Sequence, residues 1–198
     1  MSSGLVYTQQ LIPYTREQLI EKVRRQMKEK RFKHVLRVEA TALALAEQYN
    51  GDLEKTSIAA LTHDYAKERP DDEMAALVAQ GVFEPELLAY GNPIWHAELG
   101  AYLAEQELGL KDETILQAIR LHTIGSAEMT LLDKLIYVAD YIEPGRKFPG
   151  VDRARQLARE NLDAAVRYES KHTLLHLVQT NAKIYPKAIE TYNQWVAT

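Results

Sequence analysis

Residues 61–67 read LTHDYAK, and this short stretch decides how the chain is to be read. Before it, Leu53, Ile58 and Leu61 follow Asp52 at helical spacing and announce an apolar helix, for which Pro70 supplies an end. A carboxylate in such a helix is costly unless it is paired or binds a metal. Drawn as one helix from Asp52 to Pro70, the stretch sets His63 and Asp64 about 100° apart around the axis. Lys67, three residues after Asp64 and four after His63, then falls on their face.

Punctuation of the same kind divides the rest of the chain. Thr15 and Gln18 make a capping box after Pro13. A helix from about Arg31 to Tyr49 carries an apolar face of Leu36, Ala40 and Leu43 and closes at Asn50-Gly51. Asp71 or Asp72 caps a short helix that stops at Gly81. Asn92 is the expected N-cap, and Pro93 the first residue, of a helix running through Trp95, Leu99 and Leu103 toward Gly109. Asp112 caps the next, TLLDKLIYVADYIEPG forms another that Pro144 stops, and Pro186 opens the last. Between these, a single long helix is expected from Asp152 to about Lys183. Alternating runs bounded by hairpin turns are nearly absent. The expected fold is all-α, a single-domain bundle of roughly eight to ten helices.

Composition bounds the function. The 198 residues are 46% hydrophobic and 26% charged, an ordinary globular balance long enough for a real core. A net charge of −4 argues against a general nucleic-acid binder but not against a small anionic ligand held by local charge. Without cysteine there is no disulfide, thiolate site or cysteine nucleophile, which fits a reducing compartment. The N-terminus lacks the basic and apolar regions of a secretory signal, and no apolar run approaches the ~20 residues of a membrane span. A cytoplasmic protein is expected.

Several polar residues stand where a core would be apolar. Of the six histidines, His34, His63, His96 and His122 lie on apolar sides or ends of predicted helices, and Asp140 is embedded in LIYVADYIEP. Imidazoles and carboxylates without thiolates suit iron or manganese, and accept zinc, cobalt or nickel. His34, His63-Asp64 and Asp140 come from three separate helices, the layout of a metal cavity inside a bundle. A metal there polarises a phosphoryl oxygen and lowers the pKa of water. Lys67 then offers a point charge to phosphate, and Arg146, in the loop after the Asp140 helix, a planar fork. His96 and His122 suit phosphate binding, proton donation or a second metal. Each has a plainer reading: a hydrogen-bonded core histidine, a Lys67–Asp64 ion pair, an Asp140–arginine pair, a solvated Arg146. His172 and His176 are spaced like zinc ligands, but the intervening residues lack the HExxH glutamate and no third ligand is apparent, so they read as structural or surface residues.

Taken together, LTHDYAK, GNPIWHAELGA, AIRLHTIG and DKLIYVADYIEPGR, in this order, resemble the HD-domain phosphohydrolase superfamily, and within it the bacterial symmetrical bis(5'-nucleosyl)-tetraphosphatases. The likeness covers about Lys33 to Tyr192; residues 1–20 read as an N-terminal extension and 21–198 as the HD-type domain. It implies hydrolysis of diadenosine tetraphosphate to two ADP by metal-activated water attacking phosphorus. His34, His63, Asp64 and Asp140 would hold the metal, iron in the family, with Asp64 and Lys67 catalytic. His96, His122, Arg146 and Lys67 would contact phosphates, and Asn181, Tyr185 and Pro186 would lie near the nucleotide. An HD phosphohydrolase acting on another nucleotide and a non-catalytic, metal-stabilised nucleotide sensor remain the alternatives. An exposed apolar helix face leaves a homodimer open.

Overall fold

The computed structural model describes residues 4–197. Among them the secondary structure is helical throughout: α1 (Arg16–Arg24), α2 (Glu29–Tyr49), α3 (Leu53–Thr62), α4 (Asp71–Ala79), a 3₁₀ turn at Pro85–Tyr90, α5 (Asn92–Leu108), α6 (Glu113–Leu121), α7 (Leu131–Ile142), α8 (Val151–Glu160), α9 (Leu162–Gln179) and α10 (Pro186–Trp195). The all-α expectation holds. The punctuation acts where the sequence places it at several ends. Thr15 closes its capping box with Gln18, Asp52 and Asp112 accept from backbone N–H groups, and Asn50 and Gly109 end their helices left-handed; a second capping box, Thr130 with Asp133, lies outside the sequence reading.

Four boundaries depart from the sequence reading. The helix expected to run to Pro70 ends at Thr62, and His63 is its C-cap. The Thr62 hydroxyl donates to the Ile58 carbonyl and the His63 ring to the Ala60 carbonyl, while Tyr65 and Lys67 donate three residues back, tightening the chain into turns. His63, Asp64 and Lys67 therefore occupy a helix exit, not a helix face. The long helix expected from Asp152 to Lys183 is two helices. Asn161, at φ −160° and ψ 114°, caps α8 and accepts from the Ala164 N–H to start α9, which itself ends at Gln179. Gly91, not Asn92, is the N-cap of α5, and Pro70, not Asp71 or Asp72, precedes α4.

The core lies between α2, α3, α5, α6 and α7, with α8, α9 and α10 laid along one side. The inward face of α2 is Val35, Val38, Ala42, Leu45 and Ala46. Leu36 is only half buried and Ala40 is exposed, because the buried stripe is set by the neighbours α3 and α7 and also carries His34 and Glu39. The N-terminal segment is packed into this bundle: Leu19 is fully buried, the Tyr7 hydroxyl meets Ser57 at 2.8 Å, and Thr8 and Gln9 N–H groups donate to Glu54. Among the described residues no helix is long and apolar enough to cross a membrane.

Candidate metal centre and phosphate cavity

Four imidazoles and two carboxylates converge from five helices. His34 comes from α2, His63 and Asp64 from the exit of α3, His96 from α5, His122 from the C-cap of α6 and Asp140 from α7. His34 Nε2 lies 3.0 Å from Asp140 and 3.5 Å from Asp64, and His63 Nε2 lies 3.3 Å from Asp64 Oδ2. The other Asp64 oxygen faces His96 Nε2 at 3.4 Å and His122 Nε2 at 3.8 Å.

The backbone sets the tautomers. At the ends of α3 and α6 free carbonyls need donors, and the same local device serves both: His63 Nδ1 donates to Ala60 O and His122 Nδ1 to Ile119 O, each at 2.7 Å. His96 Nδ1 meets Asn92 O at 2.6 Å and His34 Nδ1 meets Glu143 Oε1 at 3.1 Å. Each Nδ1 thus carries a proton, and each ring turns its Nε2 inward. His34 Nε2 and His63 Nε2 are buried without a hydrogen-bond partner, and the Nε2 atoms of His96 and His122 face each other at 3.1 Å. Lone pairs set against lone pairs and carboxylate oxygens repel unless a cation lies between them. His34, His63 and Asp64, and likewise Asp64, His96 and His122, bring one donor atom each within 4.8 Å of one another. The donor set fits a divalent ion.

The electrostatics agree. Burial works against ionised Asp64, but His63 and His96 outweigh it and hold the carboxyl well below its usual range. Burial likewise opposes a charged His63, yet Asp64, with Asp140 behind it, raises its pKa. Burial, then His63 and His96, drive His122 down to about 3. Asp140 is held low, against burial, by His34 and the Arg146 charge. The carboxylates stay ionised, and a bound metal would take the place of a proton on His63.

Above the cluster opens a cavity of about 300 Å³ lined by Arg31, Asp64, Lys67, His96, His122, Asp140, Arg146 and Glu169, among others. Arg31 Nη1 pairs with Asp64 Oδ2 at 2.8 Å, and the Arg146 guanidinium pairs with Asp140. Lys67 Nζ lies 3.3 Å from His96 Nδ1, but that nitrogen is already a donor to Asn92, so the ammonium keeps its protons for another acceptor. Burial lowers the Lys67 pKa, and an anion beside it would raise it again.

Of the residues singled out in the sequence, His34, His63, Asp64, Asp140, His96, His122, Lys67 and Arg146 are gathered here. Asn181, Tyr185 and Pro186 do not line the cavity; Tyr185 packs edge-on against Tyr90, ring centroids 4.9 Å apart. Three participants were not singled out. Arg31, one turn before His34, had only its i,i+3 spacing to betray it. Glu143, three residues after Asp140, receives His34 and Arg37, which with the Gly145 N–H hold its pKa at about 2 against burial. Glu169 gave no signal. It is buried, its Oε2 has no partner, and burial raises its pKa well above the usual value, so it stands as a neutral acid in the cavity wall.

Two expectations follow. Glu143 orients His34, a candidate metal ligand, so Glu143→Gln should weaken metal binding about 10- to 100-fold, as for other such outer partners. Competition against a chelator measures this, and unchanged affinity would contradict the role. Glu169 in the unfolded chain ionises near the usual ~4.3, while the folded, metal-free protein keeps the proton. Above that pH the unfolded state binds fewer protons, so stability falls as pH rises. Glu169→Gln removes this loss, and its gain in melting temperature over the parent should widen from pH 4 to pH 7. A constant difference would mean that Glu169 is ionised when folded.

Buried imidazoles and carboxylates converging from separate helices on a polar cavity define the class: a helical bundle with an internal His–Asp cluster that could hold a metal ion. Residues 31–145 match the family model described as the HD domain. The chain is 45% identical over 183 residues to the symmetrical bis(5'-nucleosyl)-tetraphosphatase of Bacillus subtilis (strain 168), covering 92% of this chain and 98% of that protein. Against the protein of the same name from Halalkalibacterium halodurans it is 41% identical over 179 residues, with 90% and 96% covered. A crystal structure described as a predicted HD superfamily hydrolase involved in NAD metabolism, from Clostridium acetobutylicum, matches with a TM-score of 0.86. That match is at 36% identity over 92% of this chain and 97% of that one. The chain belongs to the HD domain family, in the group of the bacterial symmetrical bis(5'-nucleosyl)-tetraphosphatases.

Proposed function

We propose that the protein hydrolyses diadenosine tetraphosphate at its central anhydride, giving two ADP, with a divalent ion, iron, in the His–Asp cluster. The observation that carries this is the join between the two halves of the site. Inward-facing imidazoles that lack a partner lie directly beneath a cavity walled by Arg31, Lys67 and Arg146. Names of relatives and the thiolate-free donor set support the substrate and the metal.

His34, His63, Asp64 and Asp140 would hold the ion, with His96 and His122 turned toward the other oxygen of Asp64. Bound there, a divalent ion supplies Lewis acidity and lowers the pKa of a coordinated water. The chain's own groups do the rest. Asp64, ionised and shared between both histidine pairs, fixes the cluster against the cavity. Lys67 and Arg146 hold phosphoryl oxygens whose charge grows during in-line displacement, and the neutral Glu169 carboxyl donates to a further oxygen. Neither cysteine nor serine lines the cavity, and water is the nucleophile in this reading. The cysteine-free chain and the absence of a membrane-spanning helix among the described residues support a cytoplasmic place of action.

The reading is tested by comparing kcat/KM for diadenosine tetraphosphate, diadenosine triphosphate, ATP and a deoxynucleoside triphosphate on the metal-loaded protein. The tetraphosphate dinucleotide is expected to lead the series. A mononucleotide leading it would make the protein an HD phosphohydrolase of another substrate. Tight binding without turnover of any would make it a sensor.

A further inference from the structure

Beside the cavity over the cluster lies a second hollow that none of these roles uses. It has a volume of about 430 Å³ and is bounded by Tyr141, Phe148, His172, Thr173, Leu175 and His176, with Pro149 and Gln179 at its margins. Tyr141, Phe148 and Thr173 line both spaces, so the hollow adjoins the phosphate cavity. A single face of α9 runs through the two: Glu169 and Thr173 line the cavity, and Thr173 and His176 line the hollow one turn further.

The chemistry changes along that face. The three cations all lie at the cluster end, whereas no lysine, arginine, aspartate or glutamate lines the hollow. Its walls are flat and unsaturated instead. Tyr141 and Phe148 tilt together at 4.8 Å, and His172 is stacked on Tyr168 at 3.8 Å, where its Nδ1 donates to the Tyr168 carbonyl. Leu175 leaves 47% of its surface uncovered at the rim. A volume in the range of ligand pockets, with aromatic walls and a few polar tips, suits a planar base and rejects a phosphate.

We propose that this hollow is a nucleoside subsite, holding one of the two adenosines of the dinucleotide while the polyphosphate lies over the cluster. The inference rests on the reaction proposed above, because central cleavage requires that the attacked anhydride have a nucleoside diphosphate on each side. One nucleoside must then leave the cluster along α9 or along some other path. On the α9 side the hollow adjoins the cavity, and it is walled mainly by aromatic and apolar side chains with no lysine, arginine, aspartate or glutamate. His172 and His176, the i,i+4 pair with no role at the metal, become walls of the base site.

Two measurements test this. In the first, His176 of the wild-type, metal-loaded protein is modified with diethylpyrocarbonate and the modified peptide is quantified. Diadenosine tetraphosphate is expected to slow modification, and inorganic tripolyphosphate, which has no base, is not. Equal protection by both, or by neither, overturns the subsite. In the second, the double variant His172→Ala/His176→Ala is expected to raise KM for the dinucleotide roughly tenfold, in line with the loss of base stacking, and to leave the Ki of tripolyphosphate unchanged. A parallel change in both constants, or in neither, overturns it. Turnover of the dinucleotide by the wild type reads the proposed reaction separately. Selective protection without ADP formation would keep the subsite and reject the reaction.

Discussion

Asp64→Asn is expected to reduce hydrolysis about 1,000-fold or more and to strip the metal from the purified protein. The substitution keeps shape and volume, so the cause is electrical. Asp64 is the one carboxylate that faces all four histidines, with Nε2 distances of 3.3 to 3.8 Å. It also neutralises Arg31 at 2.8 Å. A neutral amide would leave that arginine without its counter-charge and would remove the attraction that raises the His63 pKa. Turnover and metal content should fall together. Full metal content with lost turnover would move Asp64 from ligand to proton-transfer group, and retained turnover would contradict the centre altogether.

Lys67→Met is expected to lower kcat about 100- to 1,000-fold while leaving metal content intact, the size of effect seen when one donor to a developing anion is removed. Methionine fills the same space without charge, so packing at the α3 exit is kept. Lys67 lines the cavity and has no accepting partner there, because His96 Nδ1 is committed to Asn92. An effect confined to KM would mean that Lys67 binds the substrate and transition state equally well. No effect at all would return it to the plainer reading as an ion-pair partner of Asp64.

Much of this was legible in the sequence, for identifiable reasons. A lone histidine such as His34 says little, but His34, His63-Asp64 and Asp140 each interrupt an apolar helical pattern, and the bundle offers one place where such interruptions can be compensated together. Helix starts were legible where a side chain caps them, as at Thr15, Asp52 and Asp112. The end of α3 was hidden because Tyr65 and Ala66 continue the apolar pattern while the backbone has already turned, and both are buried. The break at Asn161 was hidden because one capping side chain joins two helices with no intervening loop. Arg31, Glu143 and Glu169 look like surface charges in one dimension. Only tertiary packing reveals that the first faces Asp64, the second fixes His34, and the third is buried without an ion partner.

The position of Tyr185 illustrates the remaining gap. The resemblance places Asn181, Tyr185 and Pro186 near a nucleotide, and the structure sets Tyr185 against Tyr90, outside the phosphate cavity. Local sequence carries no record of which surface a connecting segment meets, because that depends on how α10 docks. Here α10 docks on α9, and the Trp195 indole N–H donates to Ser126 O at 2.8 Å.

The most direct test of the account is to incubate diadenosine tetraphosphate with metal-loaded protein and, side by side, with the same protein after chelation, and to separate the products. The account predicts ADP as the sole product of the loaded protein, two per substrate consumed, with none from the stripped protein until iron or manganese is returned. Equal amounts of ATP and AMP, or undiminished turnover after the metal is removed, would contradict it.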